Sequence, residues 1–226
     1  MPCNASDFQQ QRLDMVAHQL ERRGLLDKNV LAAMRKVPRH CFVPGSLQDA
    51  AYEDRPLPIG HGQTISQPYM VGLMTSLVQP DPEGAILEVG TGSGYQAAVL
   101  SFLFKQVYTV ELNQDLAKNA EMLFAELGME NIQVKAGDGS CGWEEFSPYH
   151  AIMVTAASPR PPQPLLNQLA ENGRLVIPVG SKLGQTLQIW TSAHGTYHCT
   201  YSIPVVFVPL RGKYGWSEDD WQWYDL

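Results

Sequence analysis

Ile86-Leu87-Glu88-Val89-Gly90-Thr91-Gly92-Ser93-Gly94-Tyr95 is the stretch that decides the fold. A strand-like apolar run passes directly into glycines at 90, 92 and 94, and Gln96-Ala97-Ala98-Val99-Leu100 continues as a helix. Glycine lets the chain turn sharply and lets a ligand approach the main chain, while the first amides of the helix offer unpaired donors at a positive dipole end. A nucleotide-type ligand belongs there.

The residues around this stretch narrow the ligand. A dinucleotide loop wants Gly-x-Gly-x-x-Gly, and the third position is Tyr95. A ligand without a pyrophosphate does not need that contact, and Glu88 at the strand end repels a phosphate while tolerating a cationic sulfonium amino acid. Both features favour S-adenosylmethionine. A second strand, Gln106 to Val110, ends on Glu111, about 20 residues beyond the glycines, where a carboxylate accepts hydrogen bonds from both ribose hydroxyls or, alternatively, faces the dipole of the next helix. Asp138, in Gly137-Asp138-Gly139 after a third strand at Ile132 to Ala136, sits where an adenine amino group is met, or is a solvated turn residue.

Outward from this centre, strand and helix alternate. Asn113 to Leu127 reads as a helix stopped by Gly128; Tyr149 to Val154 is a fourth strand, Pro164 to Ala170 a short helix, and Arg174 to Val179 a fifth strand. The pattern predicts an α/β fold with right-handed crossovers and a mostly parallel sheet. Thr186 to Thr191 and Tyr197 to Val208 read as an antiparallel hairpin at its edge. The spacing of His194 and His198 suits a metal only on a helix, so both read as turn residues and no metal is expected.

Upstream, Ser6 to Arg23 and Asp27 to Val37 are helical, with Ser6 and Gln9 forming a capping box and Asp27 a cap. Arg39 to Ser66 loses periodicity and is punctuated by proline and glycine, as a functional loop would be. Pro68 opens a helix whose buried side is read as Met70, Leu73, Met74 and Leu77, with Ser66 or Gln67 as its cap. On local physics alone Ser66 is an ordinary cap hydroxyl and His61 a turn residue.

The chain has 226 residues and a formal net charge of -7, which disfavours a nucleic-acid backbone or an anionic membrane surface as partner. Its 4 cysteines are spread without a Cys-x-x-Cys, no run approaches a membrane span, and the N-terminus lacks a secretory core, so a reduced, cytoplasmic protein is expected. The tail from Lys213 holds Trp216, Trp221, Trp223 and Tyr224 among Glu218, Asp219, Asp220 and Asp225, too aromatic for a solvated end.

Pro56-Leu57-Pro58-Ile59-Gly60-His61-Gly62-Gln63-Thr64-Ile65-Ser66-Gln67-Pro68, the glycine stretch through Ala98, Gly137-Asp138-Gly139 and Phe207-Val208-Pro209-Leu210 together resemble the bacterial protein-L-isoaspartate (D-aspartate) O-methyltransferases. The glycine motif alone says only methyltransferase; the Thr64-Ile65-Ser66-Gln67-Pro68 segment carries the specific likeness. The resemblance implies a Rossmann-like methyltransferase sheet with N-terminal helices and a C-terminal hairpin, organised as one domain over 1–212 (helices and loop over 1–84, core over 85–212) followed by a tail over 213–226. It implies transfer of a methyl group to the free α-carboxylate of L-isoaspartyl residues in damaged proteins, with D-aspartyl sites left open. Ser66 is implied as the active-site serine; Thr64, Ile65, Ser66, Glu88, Gly90, Thr91, Gly92, Glu111, Leu112, Asp138 and Gly139 as the cofactor site; Thr155, Ala156 and Ala157 as the substrate side. A methyltransferase of another substrate class and a non-catalytic adenosyl-binding module are the competing readings.

Overall fold

A computed structural model of the protein describes residues 5–217 and 221. Its strands and helices in chain order are α1 (Ala5–Met15), α2 (Lys28–Lys36), β1 (Leu57–Gly60), β2 (Gln63–Ile65), α3 (Pro68–Leu77), β3 (Ala85–Val89), α4 (Tyr95–Leu100), β4 (Gln106–Glu111), α5 (Gln114–Glu126), β5 (Ile132–Ala136), β6 (Tyr149–Val154), α6 (Gln163–Asn167), β7 (Leu169–Ser181), β8 (Gly184–Ala193) and β9 (Thr196–Val205).

Alternation along the strands explains the layering. In β3, Ile86 packs to one face with Val107, Ala151, Met153 and Val176, under the helices α1 to α5. Leu87 and Val89 point to the other face with Val110, Ile152, Val154, Leu175 and Ile177, against Leu165 and Leu166 of α6. Both faces are covered, as expected for parallel strands that read as continuous apolar runs. The order is β5-β4-β3-β6-β7-β8-β9, parallel from β5 to β7 and antiparallel from β7 to β9. The chain leaves β3 toward β4 and β5, then returns to β6 on its other side. The C-terminal ends of β3, β4 and β6 therefore form the crevice in which open α/β sheets bind ligands.

Several local expectations shift. The first helix continues as a π turn (Val16–Leu20) and a 3₁₀ turn (Glu21–Arg23) before left-handed Gly24 ends it; the Ser6 side chain lies outside the described residues. Asp27 caps α2 by accepting from the Asn29 and Val30 amides. The 39–66 segment contains 3₁₀ turns and a β1–β2 hairpin, whose turn residues His61 and Gly62 take positive φ of 53° and 70°. The buried stripe of α3 is rotated from the predicted one: Val71, Met74 and Thr75 are buried, while Met70, Leu73 and Leu77 are half-buried, because this helix is covered by the N-terminal helices as well as the sheet. The short helix ends at Asn167 instead of Ala170, and β7 is correspondingly longer than Arg174 to Val179.

Gly94 caps α4 with φ 89°, and a Cβ placed there would lie 2.7 Å from Phe124 Cζ on α5. Strain and a steric clash coincide, so Gly94→Ala should lower unfolding stability by about 2 kcal/mol. Urea titration checks this; an unchanged midpoint would mean that α5 yields freely.

Candidate active site

The glycine loop is built around backbone groups that side chains of other segments satisfy. Gly90 adopts φ 98°, and the space a Cβ would need is held by Thr155 Oγ1, only 2.4 Å away. That hydroxyl donates to the Gly90 carbonyl at 2.7 Å. From the end of β4, Glu111 Oε2 accepts from the Gly92 amide at 2.8 Å, and Oε1 accepts from the Asn113 amide at 3.0 Å. Asn113 then caps α5. Each carboxylate oxygen has a second acceptor site, so this carboxylate fixes the loop and still has capacity toward the cleft it lines.

The β1–β2 hairpin brings in the distant segment. Ile59 Cδ1 would sit 3.5 Å from a Cβ on Gly92, so the hairpin rests on the glycine loop. Pairing of Leu57 with Ile65 and Pro58 with Thr64 sets its register. A partly open cleft results between the hairpin and the glycine loop. Its walls are Gln63 to Ile65 from the hairpin and Ser66 just after it, Val89 to Ser93 at the glycine loop, Val110 and Glu111 from β4 and Leu112 just after it, Gly139, Thr155 and Ala156, with Val71, Tyr95, Gln96 and Val208 to Arg211 completing it.

The cleft thus unites most predicted positions: Thr64, Ile65, Ser66, Gly90, Thr91, Gly92, Glu111, Leu112, Gly139, Thr155 and Ala156. Ala157 is fully buried and exchanges backbone bonds with Val208 and Leu210 instead. Ser66 is not a helix cap. Gln67 holds the N-cap position without a side-chain capping bond and sends its amide to the Asp54 carbonyl. The Ser66 hydroxyl has no hydrogen-bond partner among the described residues and sits on the cleft wall.

Two predicted cofactor positions stand behind the wall. Glu88 is wholly buried; Thr109 Oγ1 donates to its Oε2 at 2.5 Å and lies 2.6 Å from Thr91 Oγ1, while Oε1 has no hydrogen-bond partner among the described residues. Burial pushes the carboxyl up to about 8, overcoming the Thr109 bond, with the nearby Glu111 charge adding to the rise. In the ligand-free fold it is therefore mostly protonated at neutral pH and carries little charge with which to repel a phosphate. Asp138 closes its own turn: Oδ1 accepts from the Ser140 amide at 2.9 Å and hydroxyl at 2.6 Å, and Oδ2 accepts from the Lys213 amide at 2.7 Å. Burial alone would raise its pKa, but these bonds hold it below the ordinary aspartate value.

The start of the tail is held at the same place. Tyr214 donates its amide to Ser140 Oγ, and the Trp216 and Trp221 rings meet at 5.3 Å, with Trp221 buried. Trp223, Tyr224 and the acidic residues at 218–220 and 225 lie outside the described residues. Gln96 was not singled out from sequence; its Nε2 donates to Thr75 Oγ1 at 2.8 Å and it lines the cleft. The available signal was a glutamine inside the otherwise apolar helix that follows the glycines.

A native carboxyl with pKa about 8 against an unfolded value of about 4.3 keeps its proton over that interval only when folded. The stability contribution of Glu88 is full below the unfolded value and is lost as pH rises through the folded one. Glu88→Gln, which copies the protonated form, should gain melting temperature over the wild type, and the gap should widen by several degrees from about pH 5 to about pH 8. Thermal scans across that range are the check, and a constant gap would mean Glu88 is ionised in the fold.

Comparison with known proteins agrees with this geometry. Residues 10–215 match the family described as Protein-L-isoaspartate(D-aspartate) O-methyltransferase. The chain is 51% identical over 211 residues to Protein-L-isoaspartate O-methyltransferase 1 of Syntrophobacter fumaroxidans, covering 93% of this chain and 99% of that one. It is 49% identical over 212 residues to the Petrotoga mobilis Protein-L-isoaspartate O-methyltransferase, covering 93% and 100%. A solved protein-L-isoaspartate O-methyltransferase superposes with a TM-score of 0.83 at 29% identity, over 92% of this chain and 67% of that one. A Plasmodium falciparum structure described as a beta-aspartate methyltransferase in complex with S-adenosyl-L-homocysteine gives 0.78 at 26% identity, over 88% and 98%. With a matched family spanning nearly its whole length and the segment characteristic of that family seated on its glycine loop, the chain belongs to the protein-L-isoaspartate (D-aspartate) O-methyltransferase family.

Proposed function

We propose that the protein methylates the α-carboxylate of L-isoaspartyl residues in damaged proteins, using S-adenosylmethionine, and so initiates their repair in the cytoplasm. The observation that carries this reading is the placement of Thr64, Ile65 and Ser66 on the same cleft wall as the glycine loop and Glu111. The residues fit the cofactor. Gly90 to Gly92 present bare backbone, Glu111 retains acceptor capacity for ribose hydroxyls, and Val110, Leu112 and Leu210 offer apolar surface to a purine. Bound there, S-adenosylmethionine supplies a methyl group on a sulfonium, an already activated electrophile.

The protein's own part is modest and geometric. An isoaspartyl α-carboxylate, with a pKa of about 3.5, is ionised at neutral pH, so no general base is required. Ser66 then serves as a hydrogen-bond donor that orients one carboxylate oxygen, and Thr155 and Ala156 border the approaching peptide. Alignment and exclusion of water are worth about 7 to 11 kcal/mol in well-oriented reactions. Glu111 holds the cofactor's ribose, while Glu88 and Asp138 support the site from behind.

Incubation with methyl-labelled S-adenosylmethionine and matched isoaspartyl and aspartyl peptides tests the reading directly: base-labile methyl ester should form on the isoaspartyl peptide alone. Equal labelling of both peptides, or none while cofactor binds, would sink it. Ser66→Ala should lower kcat by about 10-fold or more with little change in cofactor affinity, since it removes a bond made at the reacting end. Glu111→Ala should weaken cofactor binding by about 1.5 to 3 kcal/mol. Calorimetric titration with S-adenosylhomocysteine separates the two, and unchanged affinity in Glu111→Ala would remove Glu111 from the cofactor site.

A further inference from the structure

Arg39 has no place in the reading so far, yet it is among the most completely buried large side chains of the protein. It follows Pro38 and opens the 3₁₀ turn Arg39–Phe42. Burying a guanidinium is unfavourable unless its donors are met. The unfavourable burial shows as a pKa lowered to about 10, and the group stays charged at neutral pH. What it faces are carbonyl oxygens: Nε donates to Ala51 O and Nη2 to Ser66 O, each at 2.7 Å. Among the described residues no acidic side chain forms an ion pair with it. Its central carbon lies 4.8 Å from the ring centroid of Tyr95, the first residue of α4 after the glycine loop. Nη1 and the Tyr95 hydroxyl are both buried and have no hydrogen-bond partner among the described residues.

One planar fork therefore joins three segments that are far apart in the chain. Ala51 belongs to the loop that leads to the hairpin, Ser66 is the residue where the hairpin hands over to α3, and Tyr95 is fixed to the glycine loop. Among the described residues, no other hydrogen bond ties the Ser66 backbone carbonyl to the body of the protein. Because a peptide carbonyl is rigidly linked to its own Cα, the contact that fixes Ser66 O also fixes the origin of its side chain.

We propose that Arg39 is a positioning residue for Ser66: by bridging the Ser66 and Ala51 carbonyls above the Tyr95 ring, it holds the 64–66 backbone where the Ser66 hydroxyl meets the substrate carboxylate. This rests on the role given to Ser66 above. Lysine retains the charge but is a single point donor that cannot span both carbonyls in the geometry of the fork, so Arg39→Lys separates positioning from charge.

The test uses the full chain carrying Arg39→Lys, with Arg39→Gln in parallel in case an orphaned ammonium prevents folding. Three readouts are taken: steady-state kinetics on an isoaspartyl peptide, titration with S-adenosylhomocysteine, and amide hydrogen exchange compared between residues 60–67 and β8. In a folded variant kcat should fall about 10-fold or more, as for a misplaced reacting group, while KM and cofactor affinity stay within about 3-fold. Exchange should accelerate in 60–67 and not in β8. A kcat within about 3-fold of wild type, or exchange that accelerates equally in both regions, overturns the proposal. Failure of both variants to fold assigns Arg39 to folding and overturns it too. Should the wild type leave the isoaspartyl peptide unmethylated, the reaction reading fails by itself, and the exchange comparison still decides whether Arg39 holds the segment.

Discussion

The constraint on which the rest depends is the backbone of the glycine loop, with φ of 98°, 53° and 89° at Gly90, Gly92 and Gly94. A chain bent in this way cannot satisfy its own N–H and C=O groups by regular pairing, and buried backbone groups left without partners are costly. Each neighbour of the loop answers this need. Thr155 from the end of β6 donates to the Gly90 carbonyl, Glu111 from the end of β4 accepts the Gly92 amide, and the Gly90 amide pairs with Val110 O. The same side chains that hold the loop form the walls of the cleft. The contacts that support the loop therefore also shape the crevice at the C-terminal ends of β3, β4 and β6.

Much of this was legible in the sequence because it rests on local signals. The strand-to-glycine transition, the acidic residue ending the next strand and the cap at Asn113 each follow from rules that operate within a few residues. Thr155 and the Thr64 to Ser66 segment came only through resemblance, since a lone hydroxyl has no periodicity to betray it. The hairpin inside the 39–66 stretch escaped because its strands are 4 and 3 residues long, too short for alternation to register. The rotated stripe of α3 escaped for a different reason: a helix covered on more than one side buries residues all round, and spacing no longer tells which face is deepest.

Charge was the least legible property. Glu88 and Glu111 end neighbouring strands and read alike as carboxylates beside a ligand, yet burial makes Glu88 a neutral hydrogen-bonded post while Glu111 stands at the cleft. Asp138 shows the converse. Its place after the third strand invites a ligand role, yet its oxygens also accept from Ser140 and from the chain at Lys213, some 75 residues onward. Nothing near Asp138 in sequence announces that partner. The tail is in this respect part of the site's outer wall, continuing from Arg211, which lines the cleft.

The distribution of ionisable groups fits the chemistry required of the site. A reaction whose nucleophile is already an anion and whose electrophile is already activated gains little from a proton-transferring residue, and a second carboxylate at the reacting end would repel the substrate. Among the described residues, Glu88 is a buried carboxyl whose pKa is pushed up to about 8 behind the loop, and Arg39 is a buried cation that donates to the Ser66 carbonyl. Neither group needs to change its protonation state during methyl transfer. What surrounds the cleft is a matter of geometry: a hairpin laid over a glycine loop, with a Ser66 hydroxyl that has no hydrogen-bond partner among the described residues.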